Sequence, residues 1–332
     1  MKESDIRPAD LFNRYLALAE RDAELLLERE AEFDRIACPA CDGAGSHALE
    51  KGGYRYDLCH ECGSLYLNPR PGPALLSEFY AEAESVRFWA TDFYRATAEA
   101  RRERMFRPRA KLAATLADEA GLPPDARLAD IGPGYGIFLE EARALGRFGW
   151  IGGVEPAASL AQVCRDKGFS VLEVTAEAVP PGAIEADLAT AFEVLEHVVV
   201  PLEFLEGVRS TLAPGGLALM TTLTVDGFDI QVLWEKSKAV VPPHHINLLS
   251  VKGYRMLLAR AGLELVSLET PGELDLDIVG NTLKQNPDLD VGRFIRALAI
   301  DSSEQTRDLF RAFLQKSFLS SHIRMIVCRP HD

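Results

Sequence analysis

The chain has 332 residues, of which 47% are hydrophobic, and a formal net charge of −14 at neutral pH. This length is sufficient for one large core and a smaller additional module. No apolar run reaches the roughly 20 residues that a membrane-spanning helix needs. Binding to nucleic acid depends on neutralising phosphates, so the acidic charge disfavours a nucleic-acid partner.

The N-terminal segment, residues 1–36, is rich in charged residues and carries apolar residues at helical spacing. We therefore expect one amphipathic helix over about residues 9–35, which covers part of the core. The first residues lack the continuous apolar stretch of a signal peptide. Because the chain also lacks an apolar membrane segment, we expect a cytoplasmic protein with no membrane insertion.

Residues 37–72 contain four of the six cysteines, arranged as Cys38-Pro-Ala-Cys41 and Cys59-His-Glu-Cys62. Two Cys-x-x-Cys pairs with 17 residues between them match the spacing of a zinc ribbon. Four thiolates complete a tetrahedron, so we expect a structural Zn²⁺ that stabilises folding. An iron–sulfur cluster and a redox-active dithiol are the alternatives. His60 is expected to be a bystander in the second pair.

A helical pattern covers residues 73–122, after the boundary marked by Asn68-Pro-Arg-Pro-Gly-Pro73. This region contains the densest basic cluster of the chain, formed by Arg101, Arg102, Arg104, Arg107 and Arg109. Two interpretations of the cluster are open. It is either a solvated helix face or a clamp for a phosphorylated small substrate.

Strand-like and helix-like segments alternate through the rest of the chain, residues 123–332. This alternation predicts an α/β fold with a doubly wound, Rossmann-like sheet, whose ligands bind at the carboxyl ends of the strands. The strands are expected at 127–131, 149–154, 170–174, 187–191, 217–222, 263–269 and 322–328. A mostly helical insertion over about residues 274–318 precedes the last strand. Its apolar side chains indicate core packing or a homodimer contact, or a lid over the substrate.

The segment Asp130-Ile-Gly-Pro-Gly-Tyr-Gly136 follows the first of these strands and leads into a helix. Glycines accept positive φ and have no Cβ, so a ligand can approach the backbone closely. The helix after the loop offers unpaired N–H groups to a carboxylate or phosphate. Glu155 ends the next strand, where a carboxylate can accept hydrogen bonds from both ribose hydroxyls. These two features suit both NAD enzymes and methyltransferases.

The later motifs distinguish the two classes. The segments Asp187-Leu-Ala-Thr-Ala-Phe-Glu-Val-Leu-Glu-His-Val198 and Leu212-Ala-Pro-Gly-Gly216, with the glycine loop and Glu155, resemble class I S-adenosylmethionine (SAM)-dependent methyltransferases. The resemblance covers about residues 127–223. It implies that the cofactor is held by a set of nine residues: Asp130, Gly132, Gly134, Gly136, Glu155, Thr175, Ala176, Phe192 and Glu193. The first four would cradle the methionine portion and Glu155 the ribose, with Thr175 and Ala176 along the adenine.

The N-terminal cysteines followed by a Leu-Asn-Pro-Arg-Pro segment resemble a subset of this superfamily. That subset includes sugar C-methyltransferases and methyltransferases of surface-polysaccharide biosynthesis. The sugar C-methyltransferases carry a Tyr-His-Glu-His segment where this chain has Pro242-Pro-His-His245. Aligned on Leu249-Ser250, His245 falls on the histidine treated as catalytic there, and His244 is a second, weaker candidate base. Prolines stand at the positions of the tyrosine and the first histidine, which favours an oxygen acceptor over carbon.

The sequence therefore predicts a methyltransferase that uses SAM and acts on a small molecule, most plausibly a sugar, a nucleotide sugar or a surface-glycan precursor. An RNA or protein methyltransferase that grips a macromolecule with its cysteine module is the main alternative. A cofactor-binding regulator without catalysis and an NAD dehydrogenase fit the motifs less well.

Overall fold

The computed structural model describes residues 8–331, so Met1–Arg7 and Asp332 of the predicted terminal segments lie outside the described residues. The helices are Ala9–Leu27 (α1), Pro73–Glu82 (α2), Glu84–Phe88 (α3), Tyr94–Arg101 (α4), Arg107–Glu119 (α5), Ile137–Leu145 (α6), Ala158–Asp166 (α7), Pro201–Thr211 (α8), Phe228–Leu233 (α9), Val251–Arg260 (α10), Asp275–Gln285 (α11), Arg293–Arg296 (α12) and Glu304–Lys316 (α13). The strands are Phe33–Asp34 (β1), Gly45–Lys51 (β2), Tyr54–Cys59 (β3), Leu65–Leu67 (β4), Arg70–Pro71 (β5), Arg127–Ile131 (β6), Trp150–Val154 (β7), Ser170–Leu172 (β8), Ala186–Phe192 (β9), Leu212–Leu223 (β10), Asn247–Leu248 (β11), Glu264–Glu269 (β12) and His322–Cys328 (β13).

A seven-stranded sheet forms the centre of the fold, in the order β12-β13-β10-β9-β6-β7-β8. The expected Rossmann-like α/β fold is confirmed, and each predicted strand of residues 123–332 is present within a few residues. Strand β13 runs antiparallel to both of its neighbours, a direction that the alternation of helices and strands does not specify. Strands β6, β7, β8 and β9 run parallel to one another. Their carboxyl ends therefore lie at one edge of the sheet, and the loops that follow them meet there.

Apolar layers cover the two faces of this sheet. On one face, the helices α5 and α6 pack together over a cluster that includes Ala113, Leu116 and Phe138. On the other face, α8 and α10 contribute Phe204 and Leu257 to a cluster that also contains the cysteine sulfurs. The central strands are buried on both sides, which explains their nearly continuous apolar sequences.

The predicted N-terminal helix is shorter than expected. Helix α1 ends at Leu27, whereas the periodicity indicated a helix to about residue 35. Tertiary contacts outweigh local propensity there, because Phe33 pairs with Pro71 in an antiparallel bridge and its ring packs near Tyr54. The Tyr54 hydroxyl also donates a hydrogen bond of 2.7 Å to the carbonyl of Ala23, which fixes α1 on the cysteine-containing segment.

The cysteine-containing segment is joined to the main domain by a shared sheet. Strands β2, β3 and β4 form an antiparallel meander, and β11 from the loop before α10 adds to its edge beside β4. The backbone N–H of Leu67 further donates to the carbonyl of Ile246. The segment is thus part of one continuous structure with the histidine-bearing loop, here called the histidine loop (residues 239–250).

The side chain of Asn247 connects the cysteine-containing segment to the turn after β9. Its side-chain oxygen accepts a 2.9 Å hydrogen bond from Arg70, and its amide nitrogen donates to the carbonyl of Val198 at 2.7 Å. Both Asn247 and Arg70 are buried, and burial lowers the pKa of the guanidinium to about 10. Loss of the Asn247 amide would leave a charged group unpaired in the interior, which is costly.

The insertion before the last strand is helical, as the sequence predicts, and consists of α11, α12 and α13. Asp275 at the start of α11 accepts hydrogen bonds from Ser320 and Ser321 at 2.7 Å each and so ties the insertion to the last strand. Phe294 and Leu309 are 74% and 67% exposed. Among residues 8–331 no helix is long and apolar enough to cross a membrane.

Candidate functional site

The glycine loop between β6 and α6 has the conformation that its sequence predicts. Gly132, Gly134 and Gly136 all have positive φ, between +54° and +77°. A Cβ at Gly136 would lie 2.9 Å from the sulfur of Cys164, whereas a Cβ at Gly134 would meet no atom within 4 Å. The loop is therefore closely packed underneath at Gly136 and faces open space at Gly134, as a backbone cradle for a ligand requires.

Two carboxylates stand at the ends of the strands beside this loop. Asp130 at the end of β6 is buried and accepts a 2.6 Å hydrogen bond from Thr190, and burial raises its pKa to about 7. Glu155 follows β7, and its carboxylate accepts hydrogen bonds from the N–H groups of Gly134 (3.1 Å) and Ala157 (3.0 Å). Burial raises the pKa of Glu155 as well.

Thr175 and Ala176, the next two residues of the predicted cofactor set, follow strand β8. Thr175 is exposed and Ala176 is buried in the short helical turn that follows β8. The structure thus brings Asp130, the three glycines, Glu155 and these two residues to the carboxyl edge of adjacent parallel strands.

A polar network surrounds Glu193 immediately after β9. Its carboxylate oxygen Oε1 accepts from Arg109 at 2.5 Å, from Thr221 at 2.7 Å and from His322 at 3.0 Å. Burial opposes ionisation of Glu193, but the neighbouring His322 and Arg109 outweigh it and hold the pKa well below its usual range. Glu193 also has φ +55°, an uncommon backbone conformation that often marks a functional site.

No motif of the sequence pointed to His322, and two interpretations were open for the basic cluster that contains Arg109. His322 begins the antiparallel strand β13, and its pairing with Leu223 brings it to the carboxyl end of β10. Only the direction of β13 could have indicated this. The guanidinium of Arg109 lies 4.8 Å from the centre of the Phe192 ring, beside its ion pair with Glu193.

Three more arginines of the basic cluster, Arg101, Arg102 and Arg107, pair with acidic residues of the same chain or pack on an aromatic ring, whereas Arg104 is exposed. Arg102 binds Glu140 and Glu141 at 2.8 Å each, and Arg107 binds Glu141 at 2.9 Å. The guanidinium of Arg101 lies over the ring of Trp89. These contacts fix the helices α4 and α5 against α6. The ion pairs of Arg102, Arg107 and Arg109 show that part of the cluster's charge is neutralised within the fold, and a role of the cluster in binding a phosphorylated substrate stays a prediction.

The histidine loop brings His245 beside the turn that follows β9. The rings of His245 and His197 meet edge to face with centres 4.9 Å apart. His245 Nδ1 lies 2.7 Å from the carbonyl of Ala239, and His197 Nδ1 lies 2.8 Å from the carbonyl of His244. Glu196, next to His197, is buried, and burial raises its pKa to about 8.

His244 occupies a different environment from His245. Its ring is buried among Tyr15, Phe79 and Tyr80, and among residues 8–331 its Nε2 has no hydrogen-bond partner. Burial lowers its pKa to about 3, so the ring stays neutral at working pH. This aromatic enclosure makes His244 less suited than His245 to exchange a proton with a ligand.

The four cysteines of the two Cys-x-x-Cys pairs form one cluster. The sulfurs of Cys38 and Cys62 are 3.6 Å apart, those of Cys41 and Cys59 are 3.5 Å apart, and all four lie within 4.8 Å of one another. Zinc–thiolate bonds of about 2.3 Å give tetrahedral sulfur–sulfur distances of roughly 3.8 Å, so the residues fit a tetrahedral metal. His60 is exposed and lies outside the cluster, and its Nε2 is 2.9 Å from the hydroxyl oxygen of Ser46.

A family model described as a methyltransferase domain matches residues 97–268, more than half of the chain. The chain belongs to this family. The matched region is a methyltransferase domain, and the glycine loop, Glu155 and the residues after β9 all lie within it.

The relatives of this methyltransferase act on different kinds of molecule, according to their names. It is 36% identical over 105 residues to a tRNA U34 carboxymethyltransferase of Chromohalobacter salexigens. This match covers 31% of this chain and 32% of the relative. It is 28% identical over 148 residues to a ubiquinone biosynthesis O-methyltransferase of Ruegeria pomeroyi, covering 38% of this chain and 59% of the relative. The chain thus spans from about a third to three fifths of the length of these relatives.

Among solved structures, the methyltransferase is similar to the plantazolicin methyltransferase BamL in complex with a triazolic desmethylPZN analog and S-adenosylhomocysteine. The match has a TM-score of 0.49 and 10% identity, and covers 76% of this chain and 94% of that one. A similarity at this level concerns the architecture alone.

Proposed function

We propose that this methyltransferase transfers the methyl group of SAM to a hydroxyl group of a sugar, carried as a nucleotide sugar or a surface-glycan precursor. The observation that carries the proposal is the position of His245, which the histidine loop holds beside the turn after β9. Bound SAM supplies a methyl group on a sulfonium, whose thioether is a good leaving group. The protein then has to orient the acceptor and remove its proton.

The cofactor-binding residues divide by position along the sheet edge. We assign Asp130, Gly132, Gly134 and Gly136 to the methionine portion, because the loop faces open space at Gly134 and is followed by the N-terminus of α6. Glu155 is assigned to the ribose hydroxyls. Thr175 and Ala176 are assigned to the adenine, and Phe192 and Glu193 to the region of the sulfonium.

His245 is the residue that we assign to the acceptor proton. A carbonyl oxygen can only accept a hydrogen bond, so the contact with Ala239 places the ring hydrogen on Nδ1 and leaves the lone pair on Nε2. A sugar hydroxyl holds its proton tightly, and a nitrogen lone pair beside it assists transfer. We do not assign this role to His244, since aromatic side chains enclose it.

The choice of a sugar rests on the cysteine module and on charge. The Leu-Asn-Pro-Arg-Pro segment after the module resembles that of sugar methyltransferases, and the O-methyltransferase name of one relative supports an oxygen acceptor. The alternative is an RNA or protein acceptor gripped by the cysteine module, and the name of one relative, a tRNA U34 carboxymethyltransferase, is consistent with an RNA acceptor. The charge of −14 disfavours RNA, and the module uses its β4 edge to pair with β11.

We further propose that the four cysteines hold a structural Zn²⁺. Four thiolates leave no open coordination position, so this metal contributes to folding and takes no part in methyl transfer. The domain boundaries at residues 36, 72 and 122, the homodimer contact through the insertion and the cytoplasmic location remain predictions.

Replacing Glu155 by alanine is expected to weaken the binding of S-adenosylhomocysteine by about 10- to 100-fold, because hydrogen bonds between a carboxylate and the ribose hydroxyls are lost. Titration calorimetry measures the dissociation constant directly. Glu264→Ala, at an exposed position of β12, is the matched control and should bind as the wild type does. Equal affinities of Glu155→Ala and wild type would show that the ribose assignment is wrong.

The Cys59→Ser variant is expected to lose bound zinc and at least ~2 kcal/mol of stability, since three thiolates hold the metal less well than four. Elemental analysis of the purified protein gives the zinc content, and thermal unfolding gives the stability. Cys328→Ser, which removes a thiol outside the cluster, should keep the metal. The zinc assignment fails if Cys59→Ser retains one zinc per chain.

His245→Ala is expected to lower the rate of methyl transfer to a sugar acceptor by about 100-fold or more, with affinity for S-adenosylhomocysteine changed less than about threefold. The acceptor is found first, by offering methyl-labelled SAM to a panel of nucleotide sugars beside tRNA and unfolded protein. The control His47→Ala changes an exposed histidine of β2 and should have normal activity. Label that enters only tRNA or protein contradicts the sugar proposal, and full activity of His245→Ala excludes His245 from the reaction.

A further inference from the structure

Three potential metal ligands converge at the edge of the site, from two distant parts of the sequence. Glu196 and His197 lie in the turn after β9, and His245 lies in the histidine loop. One ligand atom from each of these side chains lies within 4.8 Å of the others. The backbone enforces this arrangement, because the N–H groups of Ile246 and Asn247 both donate to the carbonyl of Glu196, at 3.0 and 3.2 Å.

The two imidazole rings are oriented in the same way. Each has Nδ1 at hydrogen-bond distance from a backbone carbonyl, of His244 for His197 and of Ala239 for His245. Nδ1 therefore carries the hydrogen in both rings, and the lone pair is on Nε2. Histidines that bind metals nearly always donate their second ring nitrogen in this way, which fixes the tautomer and the ring plane.

The carboxylate of Glu196 is fixed in a similar manner. Its Oε2 accepts a 2.8 Å hydrogen bond from Thr222 on β10, and the residue is 1% exposed. The nearby Arg109 makes its ion pair with Glu193 and not with Glu196. The carboxylate of the buried Glu196 and the imidazole nitrogens of the half-buried His197 and His245 are all groups that coordinate first-row transition metals.

We propose that Glu196, His197 and His245 bind a divalent first-row transition-metal ion next to the acceptor site. One carboxylate and two imidazoles suit ions such as Mn²⁺, Fe²⁺, Co²⁺ and Zn²⁺, and three protein ligands leave coordination positions open. This site is separate from the four cysteines, which fill all positions of a tetrahedron. The proposal rests on the proposed function only in placing the acceptor hydroxyl at the open positions.

With the ion bound, His245 is a metal ligand and not the base that takes the acceptor proton, while the overall reaction stays the same. A hydroxyl oxygen bound to a divalent cation has a lowered pKa and releases its proton to water. The oxygen then forms the new O–CH₃ bond as the methyl–sulfur bond of SAM breaks, and S-adenosylhomocysteine leaves. His245 Nε2 acts as a ligand in this case, so it need not carry the proton itself.

The test uses Mn²⁺ alone as the probe, because this ion prefers oxygen and nitrogen ligands over the thiolates of the cysteine cluster. Electron paramagnetic resonance of the full chain with its zinc in place counts bound Mn²⁺ without any substrate. We expect one site in the wild type, and binding weakened at least tenfold in His197→Ala and in Glu196→Gln. The Glu196→Gln variant keeps the shape of the side chain and its contact with Thr222, so it covers the case in which His197→Ala does not fold.

His60→Ala is the matched control, since it removes a histidine next to the cysteine cluster and outside the proposed site. It should bind Mn²⁺ as the wild type does. The proposal is overturned if wild-type protein binds no Mn²⁺, or if Glu196→Gln binds it unchanged. Either result leaves the methyltransferase proposal intact, because titration with S-adenosylhomocysteine needs no metal. Conversely, if the wild type binds one Mn²⁺ and both His197→Ala and Glu196→Gln fail to bind it, the site is supported even if no sugar proves to be the acceptor.

Discussion

The pairing of the histidine loop with the cysteine module is the interaction on which the candidate site depends. Strand β11 extends the module's sheet through β4, and Asn247 joins the buried guanidinium of Arg70 to the turn after β9. A loop alone would not hold His245 in one place, since loops of this length are mobile unless they are tied down. The cysteine module therefore has a positioning role in the site, although the zinc proposed there would take no part in methyl transfer.

The proposed site is built from two halves with different physical requirements. The cofactor half needs open backbone and a carboxylate at a strand end, which Gly134 and Glu155 provide within a short stretch of chain. The acceptor half needs basic or metal-binding groups, which come from the turn after β9 and from the histidine loop. The two halves meet because parallel strands end at one edge of the sheet. Glu193, with its partners Arg109 and His322, lies between them.

Local patterns in the sequence were enough to predict the parts of this structure that depend on neighbouring residues. Helical and strand periodicity gave the elements of the sheet, and the three glycines gave the positive φ angles of the loop. Contacts between distant segments were not predictable in the same way. The shorter helix α1, the pairing of β11 with β4 and the arrival of His322 beside Glu193 each depend on tertiary contacts. The convergence of Glu196, His197 and His245 was visible only in three dimensions.

Hydrogen exchange after removal of the proposed zinc tests the central claim most directly. A chelator is used to strip the four-cysteine cluster of its proposed metal, and amide exchange is followed by mass spectrometry in the peptides that cover residues 193–199 and 239–250. The account predicts faster exchange in both peptides, because the cysteine module holds them, while the glycine loop at residues 130–136 keeps its protection. Faster exchange confined to residues 38–67, with exchange in the histidine loop unchanged, would contradict the claim that the cysteine module positions this loop.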